Sequence, residues 1–459
     1  MINRELKRSV LLIAAFAAFI TPFMGSAVNL ALPSIGNELD ASAKQLNWVV
    51  SAYMLATAVF LLPFGRLGDI MGRKKIFVSG LVLFTIATTL VIFTRDIFSF
   101  LVLRVFQGMA SAMIFGTSMA IITSVFPPGE RGKAMGINIT AVYAGLSSGP
   151  FLGGLLTEYF GWRSIFIFLI PLSAIAVFLT LSKVRTEWAD ARGEKLDIPG
   201  ALLLGGGLIL TIAGFSKIPG TTGMILIGSG LIFIALFFLY ERKAKQPLLD
   251  INLLLSNRVF SFSNLAAMIH YASTAGIGFF LSLYLQYLKG MDARTAGFVI
   301  MTQPIMMALF SVPAGRLSDK WNPGHIASAG IATTAIGIFA LTFLKQDSSL
   351  TYIIAVLAFI GLGYALFSSP NSNAIMSSVG KKHLGVASGM LGTMRMVGQT
   401  VSLGIAMMLI AINLGDEKII PENYDRLLIT IRTGLIIFAV LCVPAIFASL
   451  ARNKKLKNR

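Results

Sequence analysis

The chain has 459 residues, of which 56% are hydrophobic and only 13% are charged, with a mean hydropathy of +0.79. Soluble domains carry about a quarter charged residues, so this composition excludes an ordinary soluble protein. The formal net charge is +18, and its position along the chain decides whether it indicates a nucleic-acid partner or a membrane topology.

Uncharged apolar stretches follow one another along the whole chain. A run of about 18 or more such residues can cross a bilayer as a helix, and fourteen candidates are present, three of them with one arginine each: Arg104, Arg395 and Arg432. They lie at 9–37, 45–65, 76–94, 97–129, 134–157, 164–182, 198–216, 218–240, 259–288, 295–315, 322–344, 348–380, 383–415 and 427–451. The predicted fold class is an all-α integral membrane protein with fourteen transmembrane helices.

Most of the 38 Lys and Arg residues fall on one side of the membrane when the N-terminus is placed in the cytosol and the spans alternate. This asymmetry follows the positive-inside rule, and it predicts that both termini are cytosolic. The basic excess is therefore a topology signal, and the short loops leave no basic soluble domain for nucleic acid. A loop-poor chain of this kind is typical of a prokaryotic inner membrane, so we expect a multi-pass protein of the cell membrane.

The sequence repeats itself at long range. GRLGD at 65–69 recurs as GRLSD at 315–319, and Gly136 and Gly149 are matched by Gly385 and Gly398 at nearly the same spacing. Both echoes follow equivalent spans, which predicts two parallel six-helix bundles with a two-helix insert between them. The predicted boundaries are 1–183 for the first bundle, 184–258 for the insert with its flanking linkers, and 259–459 for the second bundle.

The turn between the second and third spans, FGRLGDIMGRKKIF at 64–77, gathers unusual charge. Asp69 follows the C-terminal end of a helix, where the helix dipole disfavours an anion. We therefore expect it to have a partner, either an arginine or the N-terminus of another helix. The alternative, for Arg73, Lys74 and Lys75, is a solvated turn that only marks topology.

This turn resembles the loop 2–3 signature of the major facilitator superfamily, although Ile70 stands where that family usually has a basic residue. The matching residues are Gly65, Leu67, Asp69, Gly72, Arg73 and Lys74. The resemblance implies a conformational switch, in which Asp69 contacts the start of the thirteenth span when the cytosolic side is closed. The second copy keeps Gly315, Arg316 and Asp319 but lacks the basic tail.

The fourth span carries LRVFQGMASA, with Arg104, Gln107 and Gly108. A charged side chain about 10 Å along a helix from its outer end is costly unless it faces a partner or water. The alternative is an arginine that snorkels to the outer interface. The spacing of these residues resembles the family's fourth-span signature, which implies a part in proton coupling for Arg104.

The fifth span carries AGLSSGPFLGGLL, which contains Gly145, Gly149, Pro150, Gly153 and Gly154. Glycines four residues apart let helices approach closely, and the proline bends the helix. The pattern is compatible with plain packing. It also resembles the antiporter signature of drug-exporting facilitators, which implies a hinge and favours export. The second half, near Gly398, has Gln399 in place of the proline.

The first span contains VNLALP, which resembles the first-span signature of the fourteen-span drug:proton antiporters in the multidrug efflux branch. That branch usually has an acidic residue where this chain has Met24, and no Asp or Glu falls in the middle of a predicted span. His270, in the middle of the ninth span, titrates near physiological pH when unperturbed, so it is a second candidate for proton coupling. The alternative is a hydrogen-bonded structural histidine beside Tyr271.

Other chemistry is not indicated by the sequence. There is no HExxH, CxxC or Walker motif, and the stretch GGGLIL lies inside a predicted span, so we expect no cofactor, no metal and no ATP. Polar residues within spans must be satisfied and are the candidates for a substrate cavity. They are Asn29, Tyr53, Gln107, Asn264, Gln286, Gln303, Asn371 and Arg395.

Together the motifs predict a secondary transporter and not an enzyme. The resemblance implies export of small amphipathic, drug-like compounds by proton antiport and alternating access, with antibiotic resistance as the consequence. A metabolite exporter or importer on the same fold remains open, as does a non-transporting receptor or scaffold. The expected partners are a small-molecule substrate, protons and the lipid bilayer, and the expected state is a monomer without nucleic acid.

Overall fold

The computed structural model describes residues 4–215, 217–218, 220–415 and 421–452. Within these residues fourteen helical segments are long and apolar enough to cross a membrane, and no strand is present. We number them as spans 1 to 14 in chain order. They are Arg4–Glu38, Trp48–Met71, Arg73–Val91, Ile97–Val125, Arg131–Phe160, Arg163–Lys183, Ile198–Phe215, Thr221–Glu241, Arg258–Leu288, Arg294–Lys320, Pro323–Leu341, Leu350–Ser378, Lys381–Asn413 and Pro421–Ala451. The chain is thus a multi-pass membrane protein.

Several spans are irregular. Span 2 is the membrane part of the helix Ala43–Met71. Span 9 consists of the helices Arg258–Ala272 and Ala275–Leu283 and the π-helical turn Tyr284–Leu288. Span 10 consists of Ala293–Ile300 and Thr302–Lys320, and 3₁₀ turns at Lys381–His383 and Pro421–Asn423 open spans 13 and 14. A short helix, Ile251–Ser256, lies between spans 8 and 9.

The ends of the helices differ from the predicted runs by several residues. The first predicted run begins at Ser9, directly after Lys7 and Arg8, whereas its helix begins at Arg4. Charged side chains stop an apolar run but do not stop a helix, because they can lie at the membrane interface while the backbone continues. The fourth predicted run extends to 129, whereas its helix ends at Val125, because the segment 126–130 is not helical.

The two halves repeat the same packing. Span 1 packs on span 5 and span 2 on span 4, and in the second half span 9 packs on span 13 and span 10 on span 12. The halves meet where span 2 contacts span 13 and span 5 contacts span 10. Spans 7 and 8 pack mainly on each other, and span 7 also contacts span 2. The predicted fold class is confirmed, while the boundaries at 183 and 259 stay predictions.

The register of the repeat in spans 5 and 13 differs from the predicted one. A Cβ on Gly132 would lie 2.2 Å from Gly315 O, and one on Gly385 would lie 2.0 Å from Gly65 O. Gly132, not Gly136, is therefore the equivalent of Gly385, about one helical turn away. The same shift pairs Gly145 with Gly398 and puts Leu403, not Gln399, at the position of Pro150. Because glycines lie four residues apart at the start of both spans, at 132 and 136 and at 385 and 389, a sequence match can shift by one turn.

Alternation of the spans puts one set of loops on a single face. This face carries the helix ends Arg4 and Arg452, the turn at 71–73, the segment 126–130, and both linkers of the insert, 184–197 and 242–257. We call it the basic face. The core of each half is closed by large buried side chains such as Phe23, Phe100 and Phe280, whereas many large hydrophobic residues on the outside are exposed, as expected for a lipid-facing surface.

Candidate functional site

Asp69 joins the two halves at the basic face. It is completely buried, and its Oδ1 accepts a hydrogen bond from the Gly385 backbone N–H at 2.8 Å while its Oδ2 accepts one from Val386 N–H at 3.0 Å. These amides belong to the first turn of the helix Leu384–Asn413 and have no partner within that helix. The positive end of the helix dipole faces the carboxylate. The expected partner at the start of span 13 is present.

Arg73 supplies the second expected partner. Its Nε and Nη2 donate to Asp69 Oδ1 at 2.9 and 2.7 Å, its Nη1 donates to Ser124 Oγ at 2.8 Å, and Nη2 also donates to the Lys381 carbonyl oxygen. Asp190 forms a further ion pair with it at 2.9 Å. Because Arg73 is completely buried, the alternative of a solvated turn is wrong for this residue.

The linker 184–197 wraps this turn, which sequence reasoning missed. Glu187 accepts hydrogen bonds from the backbone N–H groups of Lys74 and Lys75 at 2.9 and 3.0 Å, so it caps the start of span 3. Gly72, with φ +119°, lies against this carboxylate, and a Cβ there would be 2.5 Å from Glu187 Cδ. The mixed charge of the linker is the only sequence signal of these contacts.

Glu194 extends the same linker to the second half. Its carboxylate forms ion pairs with Arg66 of span 2 and with Lys382 at the start of span 13. Partial burial acts to raise the pKa of Glu194, but the hydrogen bond from Lys382 and the Arg66 charge outweigh it and hold the pKa below its usual value. The linker of the insert therefore adds an ionic bridge between the halves beside Asp69.

Asp319 makes the equivalent contact in the opposite sense. Its Oδ1 accepts from Gly132 N–H at 2.7 Å and its Oδ2 from Lys133 N–H at 2.8 Å, at the start of span 5. The second copy lacks the basic tail, and no arginine or lysine forms an ion pair with Asp319 among the described residues. Two carboxylates thus each bind the N-terminus of a helix in the other half, and both contacts join the halves at the basic face.

Arg104 is enclosed within the first half. Its Nε donates to Val49 O and its Nη1 to Gln107 Oε1, both at 2.9 Å, and Gln107 Nε2 donates to Thr88 Oγ1 at 3.0 Å. The guanidinium lies 4.4 Å from the Tyr53 ring centroid. Arg104 has no exposed surface, so the alternative of snorkelling to the interface is wrong.

The glycines of span 5 allow very close contact with span 1. A Cβ on Gly145 would lie 2.3 Å from Phe19 O, one on Gly149 would lie 1.8 Å from Ser26 Oγ, and one on Gly153 would lie 2.7 Å from the Cβ of Ala27. Gly154 has more space, since its nearest neighbour would be 3.7 Å away. Pro150 lies inside the helix Arg131–Phe160 without ending it.

His270 is sealed inside the second half. Its ring centroid is 4.2 Å from that of Phe367 and 4.7 Å from that of Tyr364, and it has no exposed surface. Neither Nδ1 nor Nε2 has a hydrogen-bond partner among the residues that the structure describes. His270 is therefore not the hydrogen-bonded structural histidine of the alternative prediction, although its ring does lie beside Tyr271. Proton coupling through His270 stays a prediction.

A small cavity of about 50 Å³ lies between the two halves. Its polar lining includes Tyr143, whose hydroxyl donates to Ser368 Oγ at 3.2 Å, together with Asn138 and Tyr271. Arg395 also lines the cavity, 5.1 Å from the Phe115 ring centroid, and no carboxylate does. Sequence reasoning named only Arg395 of this set. The others are polar residues within spans, and only their convergence distinguishes them.

The remaining cavity candidates lie elsewhere. Tyr53 donates to Thr21 O at 3.0 Å and contacts Ser111, and Asn371 accepts from Arg452 at 2.7 Å near the basic face. The other four candidates do not line the central cavity either. Asn29 is exposed and Gln303 is half-buried. Asn264 donates a hydrogen bond to Phe260 O of its own helix, and Gln286 donates one to Ser282 Oγ. Among the described residues, no group of three or more His, Cys, Asp or Glu is placed to hold a metal ion.

The architecture and the paired contacts at the basic face define a membrane transporter built from two related halves. The Major Facilitator Superfamily model matches residues 14–403 and 263–458. The chain belongs to this family. It is therefore a transporter and not an enzyme.

Relatives within the family include transporters of different compounds. The riboflavin transporter RibZ of Clostridioides difficile is 34% identical over 386 residues, which is 84% of each chain. The multidrug resistance protein Stp of Mycobacterium tuberculosis is 29% identical over 413 residues, covering 87% of this chain and 76% of Stp. The tetracenomycin C resistance and export protein of Streptomyces glaucescens is 26% identical over 421 residues, covering 90% of this chain and 77% of that protein.

Solved structures agree with the fold. The human organic anion transporter MFSD10 has a TM-score of 0.72 at 13% identity, covering 96% of this chain and 99% of that one. The proton:xylose symporter XylE has a TM-score of 0.69 at 15% identity, covering 97% of this chain and 95% of that one. These similarities concern the fold alone.

Proposed function

We propose that this protein exports small amphipathic compounds by proton antiport and alternating access. The observation that carries the proposal is the pair of carboxylates, Asp69 and Asp319, each bound to the first helical turn of the other half. Both contacts lie on one face. Breaking them frees the two halves to separate there, which is the movement that alternating access requires.

The basic face is the cytosolic face in this proposal, following the positive-inside asymmetry. The contacts at Asp69 and Asp319 then close the cytosolic side, and their release opens the transporter to its substrate in the cell. Both termini and both linkers of the insert lie in the cytosol. The protein works as a monomer in this proposal, because the contacts of Asp69 and Asp319 are made within one chain.

The central cavity is the proposed start of the substrate pathway. Aromatic and hydroxyl side chains, such as Tyr143 and Tyr271, offer ring faces and single hydrogen bonds, which suit amphipathic compounds. Its volume of about 50 Å³ is too small for a drug-sized molecule, so substrate enters when the halves separate. Relatives named for drug resistance support export.

The proton carrier is not the first-span acid of the drug:proton antiporters, because that position is Met24. Arg104 and His270 remain the proposed coupling residues. An inward-directed proton also carries charge, and the membrane potential adds about 2.3 kcal/mol per charge per 100 mV. That energy is available to drive export whichever residue carries the proton.

Inside-out membrane vesicles test the proposal. Vesicles with an acidic lumen are given lipophilic cations and neutral drugs one at a time, and substrate-induced proton release is recorded. We expect at least one compound to release protons from wild-type vesicles and not from Asp69→Asn vesicles, with Asp96→Asn as the control for loss of a carboxylate. No release by any compound from correctly inserted wild-type protein would contradict proton-coupled export of this class.

Riboflavin transport is the second candidate function. The relative with 34% identity is named for it, whereas the two relatives quoted above that are named for drug resistance or export reach 26% and 29%. Growth of a riboflavin-requiring strain on limiting riboflavin separates the two. Improved growth on expression of the wild type, without any change in drug resistance, would favour this candidate.

A further inference from the structure

Two carboxyl groups meet at the base of the inserted hairpin. Asp197 immediately precedes span 7, and Glu241 is the last residue of span 8. A Cβ on Gly200 would lie 2.3 Å from Glu241 Oε1 and 2.8 Å from Asp197 Oδ2. Both carboxylate oxygens therefore lie next to the Gly200 Cα. The side chains are nearly removed from solvent, with 2% of Glu241 and 9% of Asp197 exposed.

The hydrogen bonds around the pair leave one oxygen without a partner. Glu241 Oε1 and Oε2 accept from the backbone N–H groups of Leu248 and Leu249, both at 3.2 Å. Asp197 Oδ1 accepts from Gly200 N–H at 3.0 Å and lies 3.4 Å from the Tyr240 hydroxyl. Asp197 Oδ2 is buried, faces Glu241 and has no hydrogen-bond partner within the described ranges.

No cation neutralises the pair among the described residues. Neither carboxylate is within ion-pair distance of a lysine, arginine or histidine. The charged groups of the surrounding elements are engaged elsewhere or lie on the linkers. On span 2, Arg66 pairs with Glu194 and Asp69 pairs with Arg73. On span 13, Lys382 pairs with Glu194, His383 lines a pocket with the linker 242–257, and Arg395 lies over Phe115. Besides Asp197, the two linkers carry Arg185, Glu187, Asp190, Arg192, Glu194, Lys195, Arg242, Lys243, Lys245 and Asp250.

Two carboxylates this close, buried and without a cation cannot both be ionised. One added proton removes the repulsion, and it also gives the unpartnered oxygen a hydrogen bond. We propose that Asp197 and Glu241 form a proton-binding site, in which one proton taken from the basic face is shared between Asp197 Oδ2 and Glu241 Oε1. The site is separate from the central cavity, and the proposal does not depend on the transported compound.

The shared proton couples the insert to the contact between Asp69 and the start of span 13. Glu241 holds the backbone at Leu248 and Leu249, and the same linker lines a polar pocket of about 350 Å³ with His383 and Val386 at the start of span 13. When the proton leaves, two negative charges repel across Gly200 and the carboxylates separate. The linker then loses its attachment next to the amide that binds Asp69.

Infrared difference spectroscopy tests the site directly. The full-length protein in lipid nanodiscs is titrated from acidic to alkaline pH, and the C=O stretch of protonated carboxyl groups is followed. Exposed carboxyl groups lose their proton near pH 4. We expect one carboxyl band to persist at neutral pH in the wild type and to be absent from Asp197→Asn and from Glu241→Gln. It should remain in Glu158→Gln, which removes an exposed carboxylate.

Thermal unfolding against pH gives the second readout. The folded pair keeps a proton that the unfolded chain has lost, so the wild type should lose stability as pH rises through the release of that proton. In Asp197→Asn or Glu241→Gln an amide donates the hydrogen bond at every pH, so this loss should disappear. Either variant suffices if the other does not fold.

Two results would overturn the proposal. One is a wild-type protein with no protonated carboxyl band at neutral pH. The other is stabilisation of the wild type, and of neither variant, by Na⁺ or Mg²⁺ at alkaline pH and constant ionic strength, which would assign the carboxylates to a metal cation.

Discussion

Asp69→Asn should shift the protein toward a state that is open at the basic face. The carboxylate accepts two backbone hydrogen bonds from the other half, at 2.8 and 3.0 Å, in a fully buried position. A hydrogen bond to a charged group contributes about 1.5–3 kcal/mol. Asparagine keeps one neutral acceptor, so we expect the closed state to lose about 2–3 kcal/mol, a change of about 30- to 150-fold in the ratio of the two states.

Distances between spin labels measure this ratio. Cys442, the single cysteine, is buried and is replaced by alanine in the labelled protein. Lys183→Cys and Lys320→Cys place labels on exposed positions of the two halves at the basic face, and Arg95→Cys and Asp347→Cys do so at the opposite face. We expect Asp69→Asn to lengthen the distance at the basic face and to shorten the other.

Two further variants make the result specific. Asp319→Asn should produce a smaller shift in the same direction, because that carboxylate is only half-buried and pairs with no arginine in the described part of the chain. Asp96→Asn removes an exposed carboxylate that caps span 4 at the opposite face, so its distances should match those of the wild type. Unchanged distances in a folded Asp69→Asn protein would refute the reasoning.

Further substitutions test the contacts between the halves, the packing of span 5 and the role of His270. Gly385→Ala and Gly132→Ala should each open the basic face, because the new Cβ would lie 2.0 and 2.2 Å from a backbone oxygen. Gly297→Ala is the control, since a Cβ there meets open space. The distances between the spin labels measure the effect of each substitution. Gly149→Ala should lower the free energy of unfolding by about 1–3 kcal/mol through overpacking against Ser26, and Gly154→Ala should be close to neutral in denaturation experiments. Glu194→Gln should destabilise the closed state by about 1 kcal/mol or less, as expected for a partly exposed ion pair. Because the pKa of Glu194 is lowered in the folded protein, the wild type should keep this ion pair above about pH 4 and lose it at more acidic pH. The variant should show no such pH dependence. His270→Gln should abolish proton-coupled efflux in vesicles and leave the protein folded, and normal efflux would remove His270 from the coupling mechanism.

The sequence alone determined the membrane fold and the existence of a repeat. Fourteen long apolar runs have few alternatives to membrane helices, because unpaired backbone groups are not tolerated in lipid. The recurrence of GRLGD as GRLSD identified Asp69 and Asp319 as equivalent residues. The helix dipole argument then required a partner for Asp69, and the type of that partner followed from electrostatics.

The tertiary structure decided the register and the partners. Both spans begin with two glycines four residues apart, so a local match could not distinguish Gly132 from Gly136, and only the contact with Gly315 does. The linker residue Glu194 has no motif, and its bridge to Lys382 exists because two segments distant in the chain meet.

The same holds for the polar residues. The sequence alone does not distinguish Asn264, Asn371 and Tyr53 from Tyr143 as candidates for the substrate cavity. In the structure, the first three form hydrogen bonds away from the central cavity, whereas Tyr143 lines it. In the sequence, Asp197 and Glu241 are charged residues at helix ends without any motif. Only the packing of spans 7 and 8 places both carboxylates next to Gly200. Periodicity and hydropathy are properties of a segment and can be read locally, whereas burial and pairing of a polar group depend on which other segment packs against it.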